Sequence, residues 1–281
     1  ALFAVAAIPV VLWAVWQGET PLVVLLAVAS ALAAWEFGKL ARGAGHEPFL
    51  LAIAIVAFAV PIGVRGVMEG TFVPPVFALF TMFVLAVLAG ALFFRRADQR
   101  PIGAAATTIL AVLYPAGTLS FAYALRYHNY VIGAAAGTAV LMFPLVIAWA
   151  TDTAAYFVGK TFGRHKLMPA VSPAKTVEGA LGGLVAAVLV GLAYVHYVLA
   201  PHASVTMTMT MAMTVSAMLS IAAQIGDLVE SLFKREAGVK DSSHLIPGHG
   251  GVLDRLDSLF FTIPVTYFLL TFPHLLIPVF R

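Results

Sequence analysis

The chain alternates between long apolar runs and short polar connections. An α-helix needs about 20 predominantly apolar residues to cross a bilayer, so runs of this length predict membrane-spanning helices. We predict nine spans, at residues 1–16, 20–36, 49–65, 72–94, 103–125, 131–158, 178–200, 206–233 and 252–280. The pattern therefore predicts an all-α fold, a polytopic membrane helix bundle with about nine transmembrane helices.

The composition is typical of an integral membrane protein. Of the 281 residues, 62% are hydrophobic and 10% are charged, whereas soluble domains have about 25% charged residues. The chain has no cysteine, which excludes disulfides and thiolate metal sites. Residues 1–16 resemble the apolar part of a signal peptide, but further apolar runs follow, so we interpret this segment as the first span.

The basic residues lie mostly on one side of the predicted bundle. Nine spans place four connections on the same side, at residues 37–48, 95–102, 159–177 and 234–251. These connections and the start of the ninth helix hold all of the 16 basic residues except Arg65, Arg126 and Arg281. Because Lys and Arg mark the cytoplasmic side, we predict a cytoplasmic N-terminus and a location in the cytoplasmic (inner) membrane.

The acidic residues are concentrated in the second half of the chain, between Asp152 and Asp257. The first half is mostly apolar and offers few groups for chemistry. We therefore predict an N-terminal transmembrane scaffold at residues 1–130 and a C-terminal transmembrane catalytic region at residues 131–281. We expect its active site to face the cytosol, because the polar residues fall in or beside the basic connections.

The eighth span carries acids that need a partner. Asp227 and Glu230 are three residues apart and share one helical face, which Ser231 and Lys234 continue. An acid within a membrane helix costs several kcal/mol unless it is paired, metal-bound or solvated. Two acids on one face also repel each other, and a divalent cation is the natural neutraliser. Glu230 could instead pair with Lys234, one turn further along the helix.

The connection after this span is basic and rich in glycine, and the ninth helix then opens with further acids. Glycine lets the backbone approach a ligand closely, and successive free N–H groups can cradle an anion. Asp254 and Asp257 are again three apart, which predicts a shared face on the ninth helix. Carboxylates hold Mg²⁺ together with substrate phosphates, and Lys and Arg neutralise the remaining phosphate charge. This arrangement predicts a nucleotide polyphosphate site at the membrane surface.

A second polar cluster follows the sixth span, which ends near Asp152. The next connection supplies Ser172, Lys175, Thr176 and Glu178, and the ammonium of Lys175 suits a phosphate of either a nucleotide or a lipid. Alternatives remain open at this stage. Asp152 could cap a helix or pair with Lys175, Arg255 could be a structural partner of the flanking aspartates, and His249 could be a loop hydrogen-bond donor and not a catalyst.

The segment from Ser231 to Asp257, SLFKREAGVKDSSHLIPGHGGVLDRLD, resembles the signature of phosphatidate cytidylyltransferases. That signature is a serine followed by Lys-Arg, Lys-Asp, His-Gly-Gly and Asp-Arg-x-Asp. The upstream segments DTAAY and SPAKTVEG also resemble the family. Two positions differ there, since Ala174 stands where a second basic residue is common and Val177 where an aromatic residue is common.

The resemblance implies the conversion of CTP and phosphatidic acid into CDP-diacylglycerol and pyrophosphate. It also implies a Mg²⁺-dependent site, with K⁺ as a candidate second cation, and a homodimer. The candidate catalytic residues are Asp227, Asp254, Lys234, Lys240 and His249. The candidate metal ligands are Asp227, Asp254 and Glu230. The candidate substrate-binding residues are Asp152, Ser172, Lys175, Thr176, Glu178, Ser231, Arg235, Asp241, Gly250, Gly251, Arg255 and Asp257.

Three other functions compete with this interpretation. A CDP-alcohol phosphotransferase also uses acids and Mg²⁺ in a membrane, but its DG-x₂-AR pattern is absent. A CTP-dependent polyprenol or phytol kinase is closer, and it would form a phospho-lipid in place of a CDP-lipid. An ion-coupled transporter could use Asp152, Asp227 and Glu230 as a relay, but transporters place such sites near the midplane, often between inverted repeats.

Overall fold

The structure, a computed structural model, describes residues 2–71, 75–128, 132–243, 245 and 250–272, with the backbone alone for residues 2–7. The helices in this part of the chain are α1 (Leu2–Gln17), α2 (Glu19–Gly43), α3 (Leu50–Met68), α4 (Val76–Phe94), α5 (Pro101–Val112), α6 (Thr118–Arg126), α7 (Gly133–Phe162), α8 (Val177–Tyr194), α9 (Ala200–Ala203), α10 (Met209–Glu236), α11 (Leu253–Leu256) and α12 (Leu259–Thr271). Two short strands, β1 (Lys166–Met168) and β2 (Ser172–Thr176), lie between α7 and α8.

Seven helical segments of the described chain are long and apolar enough to cross a membrane. Two of them contain a π-helical turn, at Leu113–Gly117 between α5 and α6 and at Val195–Leu199 between α8 and α9. Together with the shorter helices α1 and α12, these segments confirm the prediction of an all-α membrane protein with about nine helices. The predicted ninth span continues beyond residue 272 and there lies outside the described residues.

The described chain divides into two compact units. The first unit contains residues 2–11, 19–123 and 233–256. Its core is formed by α2 against α3, where Gly38 allows contact because a Cβ at that position would overlap the side chain of Leu50. Phe37 of α2 also packs edge-on against Phe233 at the end of α10, with ring centroids 5.3 Å apart. This contact fixes where the following connection starts.

The second unit contains residues 12–18, 124–232 and 257–272. Its largest contact is α7 against α8. Glycines make this contact close, because a Cβ on Gly179 would overlap the carbonyl oxygen of Ala155 and one on Gly183 would overlap that of Thr151. This close approach brings the C-terminal half of α7, which carries Asp152, against the start of α8.

The connection after the sixth span differs from the prediction of a loop at residues 159–177. Helix α7 continues to Phe162, and β1 and β2 then form an antiparallel hairpin in which Lys166 is opposite Thr176 and Met168 is opposite Ser172. Thr176 ends the hairpin and caps α8, since its Oγ1 accepts a hydrogen bond from the Gly179 N–H at 3.1 Å. Helix α8 thus follows β2 directly, with no residue between them.

The prediction that Asp254 and Asp257 share a face of one helix was wrong. Asp254 lies in the four-residue helix α11, a turn follows at Asp257 and Ser258, and α12 starts at Leu259. The physical reason is competition by short acidic side chains, which bond nearby backbone N–H groups and interrupt a helix. Asp254 accepts from the Gly251 N–H at 2.8 Å and Asp257 from the Ser258 N–H at 2.7 Å.

Candidate active site

The second unit contains a cavity of about 460 Å³. Its walls come from α7, the β1–β2 hairpin, the first turn of α8 and the middle of α10. The lining residues are Asp152, Ala155, Tyr156, Gly159, Lys160, Leu167, Ala174, Lys175, Thr176, Gly179, Ala180, Gln224 and Asp227. The volume is in the range of about 300–1,000 Å³ that small-molecule sites occupy. The lining combines two carboxylates and two ammonium groups with apolar side chains.

The charges of this cavity are arranged around Asp227. Its Oδ2 lies 2.5 Å from the Lys175 Nζ, and its Oδ1 accepts a hydrogen bond of 3.4 Å from the Ser231 hydroxyl. Asp152 lies within electrostatic range of Asp227, Asp257 and Lys175. Lys175 therefore pairs with Asp227, and not with Asp152 as the sequence allowed. Asp152 lies near both acidic and basic side chains.

A glycine places α10 against the turn that carries Asp257. A Cβ on Gly226 would overlap the carbonyl oxygen of Asp257 and contact the Cα of Ser258. Only glycine permits so close an approach. The residue after it is Asp227, so this contact brings the Asp227 and Asp257 carboxylates into one part of the second unit.

Glu178 organises the hairpin from the first turn of α8. Its carboxylate accepts hydrogen bonds from the backbone N–H groups of Arg164 at 3.0 Å and His165 at 3.2 Å, and it lies 2.6 Å from the His165 Nδ1. These contacts hold the entry of the hairpin against the helix start. Because the same hairpin carries Lys175 into the cavity, Glu178 acts on the site through backbone position. Its predicted contact with substrate stays a prediction.

We expect Glu178→Gln to lower kcat/KM by about 10-fold for the reaction of CTP with phosphatidic acid that the sequence resemblance implies. The amide keeps the length of the side chain but replaces charged hydrogen bonds by weaker neutral ones. Steady-state kinetics on the purified membrane protein measure this loss. The matched variant His165→Ala keeps both backbone donors and should lose less. An equal or larger loss in His165→Ala would contradict the role of the backbone contacts.

The first unit contains the connection that follows α10. Lys234 and Asp254 form an ion pair of 2.8 Å between Nζ and Oδ1, with side chains that are 12% and 5% exposed. The Oδ2 of Asp254 accepts hydrogen bonds from the Ser242 N–H at 2.9 Å, the Ser242 hydroxyl at 2.6 Å and the Gly251 N–H at 2.8 Å. Asp254 thus links the middle of the glycine-rich connection, at Ser242, to its end, at Gly251.

This environment controls the ionisation of Asp254, which lies outside the seven long apolar segments. Burial by itself would raise the pKa of the Asp254 carboxyl, but the Lys234 ammonium and the donors of Ser242 and Gly251 outweigh burial. The pKa therefore lies well below the usual value of an aspartate. Asp254 is a carboxylate throughout the neutral range.

Sequence reasoning missed one residue of this network, Glu36 of α2. Its carboxylate is buried and accepts hydrogen bonds from the Ser243 hydroxyl at 2.6 Å and the Leu253 N–H at 2.7 Å. A signal was present, since an ionisable residue inside an apolar span marks a functional site by default. The first half of the chain was predicted to be scaffold, so Glu36 was not among the predicted site residues.

The structure distributes the predicted site residues over both units. Asp152, Lys175, Thr176 and Asp227 line the cavity of the second unit. Ser172 is half-buried in β2, and Glu230 is fully buried in α10. In the first unit, Gly250 has a φ of +77°, and the Arg235 Nη1 donates to the Val239 carbonyl oxygen at 3.2 Å.

Four predicted residues of the first unit are exposed, namely Arg235, Lys240, Asp241 and Arg255. His249 lies outside the described residues. Among the residues that the structure describes, no three His, Asp or Glu side chains group closely enough to hold a metal ion by themselves. A site completed by substrate phosphates needs fewer protein ligands. Metal binding by Asp227, Asp254 and Glu230 stays a prediction.

Comparison with known proteins identifies the family. The model of the Cytidylyltransferase family matches residues 1–272. Phosphatidate cytidylyltransferase of Staphylococcus aureus (strain COL) is 46% identical over 134 residues, which are 48% of this chain and 50% of that protein. The proteins of the same name from Staphylococcus epidermidis (strain ATCC 12228 / FDA PCI 1200) and Staphylococcus haemolyticus (strain JCSC1435) are 45% and 42% identical over the same shares. The chain thus spans about half the length of the curated relatives it matches, and by the match over residues 1–272 it belongs to the cytidylyltransferase family.

Proposed function

We propose that this membrane protein is a phosphatidate cytidylyltransferase, which transfers CMP from CTP to phosphatidic acid and releases pyrophosphate. The observation that carries the proposal is the ion pair of Lys175 and Asp227 on the wall of the 460 Å³ cavity. It supplies a cation for phosphate and a carboxylate for a metal ion at one place. The relatives named phosphatidate cytidylyltransferase support the choice of substrates.

The lining of the cavity suits a ligand with a charged and an apolar part. Lys175 and Lys160 can bind phosphate oxygens, and the ammonium of Lys160 also lies 5.7 Å from the ring centre of Tyr156. Ala155, Tyr156 and Leu167 give the same cavity an apolar wall. Tyr156 is 60% exposed, so this wall is open at one edge. A phospholipid headgroup with the start of its acyl chains has this combination.

In the proposed reaction, a phosphate oxygen of phosphatidate attacks the α-phosphorus of CTP. A new P–O bond forms as the bond from the α-phosphorus to the bridging oxygen breaks, and pyrophosphate leaves with that electron pair. The attacking phosphate is already an anion, so no strong general base is required. Lys175 neutralises phosphate charge by exchanging its contact with Asp227 for one with substrate. Positioning and charge neutralisation account for most of the rate.

The residues of the cavity fit a magnesium ion. Carboxylate oxygens from one or two side chains, completed by substrate phosphates, are the ligands that Mg²⁺ uses with nucleotides. Asp152 and Asp227 both line the cavity and lie within electrostatic range of each other, so they are the residues that would hold the ion in the second unit. When bound, Mg²⁺ would neutralise phosphate charge. K⁺ as a second cation, and a homodimer, belong to the same proposal.

The site is proposed to face the cytosol from the inner membrane. Support comes from the basic residues that surround it, since Lys160, Arg164, Lys166 and Lys175 lie between the middle of α7 and the start of α8. Clusters of this kind mark the cytoplasmic side of a membrane protein. CTP would then enter from the cytosol and phosphatidate from the inner leaflet.

Incubation of the purified protein with labelled CTP and phosphatidate vesicles tests the function. We expect CDP-lipid and pyrophosphate in equal amounts, formed only when Mg²⁺ is present. Removal of the metal with a chelator should abolish both products, and added Mg²⁺ should restore them. A phospho-lipid formed without transfer of CMP would replace the proposal by a lipid kinase. Ion flux without release of pyrophosphate would replace it by a transporter.

A further inference from the structure

We propose that Glu36 is a positioning residue for the reaction: its buried carboxylate holds residues 242–243 and 251–253 in the conformation that presents Asp254 to Lys234. The kinetic part of this inference rests on the proposed function, whereas the structural part does not. Glu36 is 3% exposed inside the apolar helix α2. A carboxylate in such a place is costly unless strong donors satisfy it.

The donors to Glu36 come from the middle of the connection and from the start of α11. The Oε1 accepts from the Ser243 hydroxyl at 2.6 Å, and the Oε2 accepts from the Leu253 N–H at 2.7 Å. The Ser242 hydroxyl lies 3.4 Å from the Oε2, further than its 2.6 Å contact with the Asp254 Oδ2. One side chain of α2 therefore binds the chain at Ser243 and again where it enters α11.

These contacts act directly on Asp254. Leu253 is the first residue of α11 and Asp254 is the second, so a hydrogen bond to the Leu253 N–H sets the position of the next side chain. Ser242 lies beside Ser243 and supplies two donors to Asp254. Glu36 and Asp254 therefore bind the same two parts of the chain, residues 242–243 and residues 251–253, Glu36 from α2 and Asp254 from α11.

The packing around Gly251 supports a fixed geometry. A Cβ at Gly251 would overlap both the Ser242 hydroxyl oxygen and the Glu36 Oε2. Its N–H is directed at the Asp254 Oδ2 at 2.8 Å. The backbone of the connection thus passes directly against the Glu36 carboxylate, with no space for a looser arrangement. This contact gives one structural reason for a glycine at this position of the signature.

Substitutions of Glu36 distinguish the effects of its charge, its side-chain length and its hydrogen bonds. Gln keeps the length, can accept from the Leu253 N–H through its oxygen, and can donate to the Ser243 hydroxyl, which turns to accept. Ala removes all of these contacts and leaves the Leu253 N–H buried without an acceptor. Ser243→Ala removes the hydrogen bond to Glu36 and the acceptor of the Leu245 N–H, and it leaves Glu36 in place. Glu47→Ala is the control, since this acid is in the same unit and its side chain is 51% exposed.

The experiment combines hydrogen–deuterium exchange with steady-state kinetics on the purified full chain. In Glu36→Ala, we expect faster exchange in peptides covering residues 239–256, with α3 and α8 unchanged. We expect kcat to fall about 100-fold, the size of effect that displacement of catalytic groups by about 1 Å produces, with a smaller change in KM for CTP. The kcat of Glu36→Gln should stay within about 10-fold of the wild-type value. The control variant Glu47→Ala should have the wild-type kcat.

A double variant tests the proposed route of action. Ser243 also accepts from the Leu245 N–H, so exchange at residues 251–256 is the readout of the route through Glu36. There, Glu36→Ala with Ser243→Ala should exchange no faster than Glu36→Ala alone, and multiplying effects would overturn the proposal. Wild-type exchange at 251–256 in a folded Glu36→Ala protein would also overturn it. If Glu36→Ala does not fold, Ser243→Ala decides, since faster exchange at 251–256 supports the proposal and unchanged exchange overturns it. If the wild-type protein shows no cytidylyl transfer, the proposed function is refuted, but the exchange result remains valid.

Discussion

Asp227→Asn should reduce cytidylyl transfer by about 10²–10³-fold, the effect expected when one electrostatic contact to the transition state is removed. The amide keeps the shape of the side chain and can keep the 3.4 Å contact with Ser231. It loses the negative charge that faces Lys175 at 2.5 Å and that would bind a metal ion. The measured quantity is kcat under saturating CTP and phosphatidate.

The same substitution should change stability little. The side chains of Lys175 and Asp227 are 26% and 30% exposed, and ion pairs that water reaches contribute only about 0–1 kcal/mol. Thermal unfolding in detergent should therefore move by a few degrees at most. Asp98→Asn serves as the matched control, because this aspartate is 73% exposed and pairs only loosely with Arg96 at 3.5 Å. Near wild-type turnover in Asp227→Asn would refute its catalytic role.

Asp254→Asn should lower both stability and activity strongly, whereas Asp227→Asn should lower activity with little change in stability. The Lys234–Asp254 pair is almost fully buried, and removing one partner of a buried pair costs about 3–5 kcal/mol because the other charge is left uncompensated. An asparagine would also place an NH₂ group against donors of Ser242 and Gly251, or against Lys234. Thermal unfolding should show a much lower midpoint than for Asp98→Asn. An unchanged midpoint would contradict the described network.

The difference in unfolding midpoint between wild type and Asp254→Asn should depend on pH, because the pKa of Asp254 is lowered in the folded protein. Its folded-state pKa is below the value of about 3.9 in an unfolded chain, so the unfolded state binds a proton first as the pH falls. The stabilisation is therefore fully present at neutral pH and is lost progressively below about pH 4. The gap in unfolding midpoint between wild type and Asp254→Asn should shrink from pH 7 to pH 3. A constant gap would argue against an ionised Asp254.

The candidate site was predictable from sequence where local spacing controls it. Asp227 and Lys175 were predicted because acids and bases in apolar surroundings are rare and costly. Their contacts were not predictable: the sequence offered Asp152 as the partner of Lys175, and the structure gives Asp227. Which of two nearby acids pairs with a lysine depends on the approach of α10 to the hairpin, which no spacing rule contains.

The hydrogen-bond partners of Glu178 and Glu36 were also not predictable from the sequence. The carboxylate of Glu178 accepts from the backbone N–H groups of Arg164 and His165, next to the hairpin, and its contact with substrate stays a prediction. Glu36 binds residues that are more than 200 positions away in the chain. Hydrogen-bond partners at such separations follow from packing of whole helices, so the sequence marks the acid and leaves its partner open.

Sequence by itself determined the membrane class, the helix number and the family, because hydrophobic length and a dense motif are properties of consecutive residues. Tertiary structure alone decided that a hairpin carries Lys175, that a turn at Asp257 separates α11 from α12, and that Glu36 supports Asp254. The physical reason is that these features depend on which buried polar groups satisfy one another, and buried donors and acceptors choose partners by proximity in space.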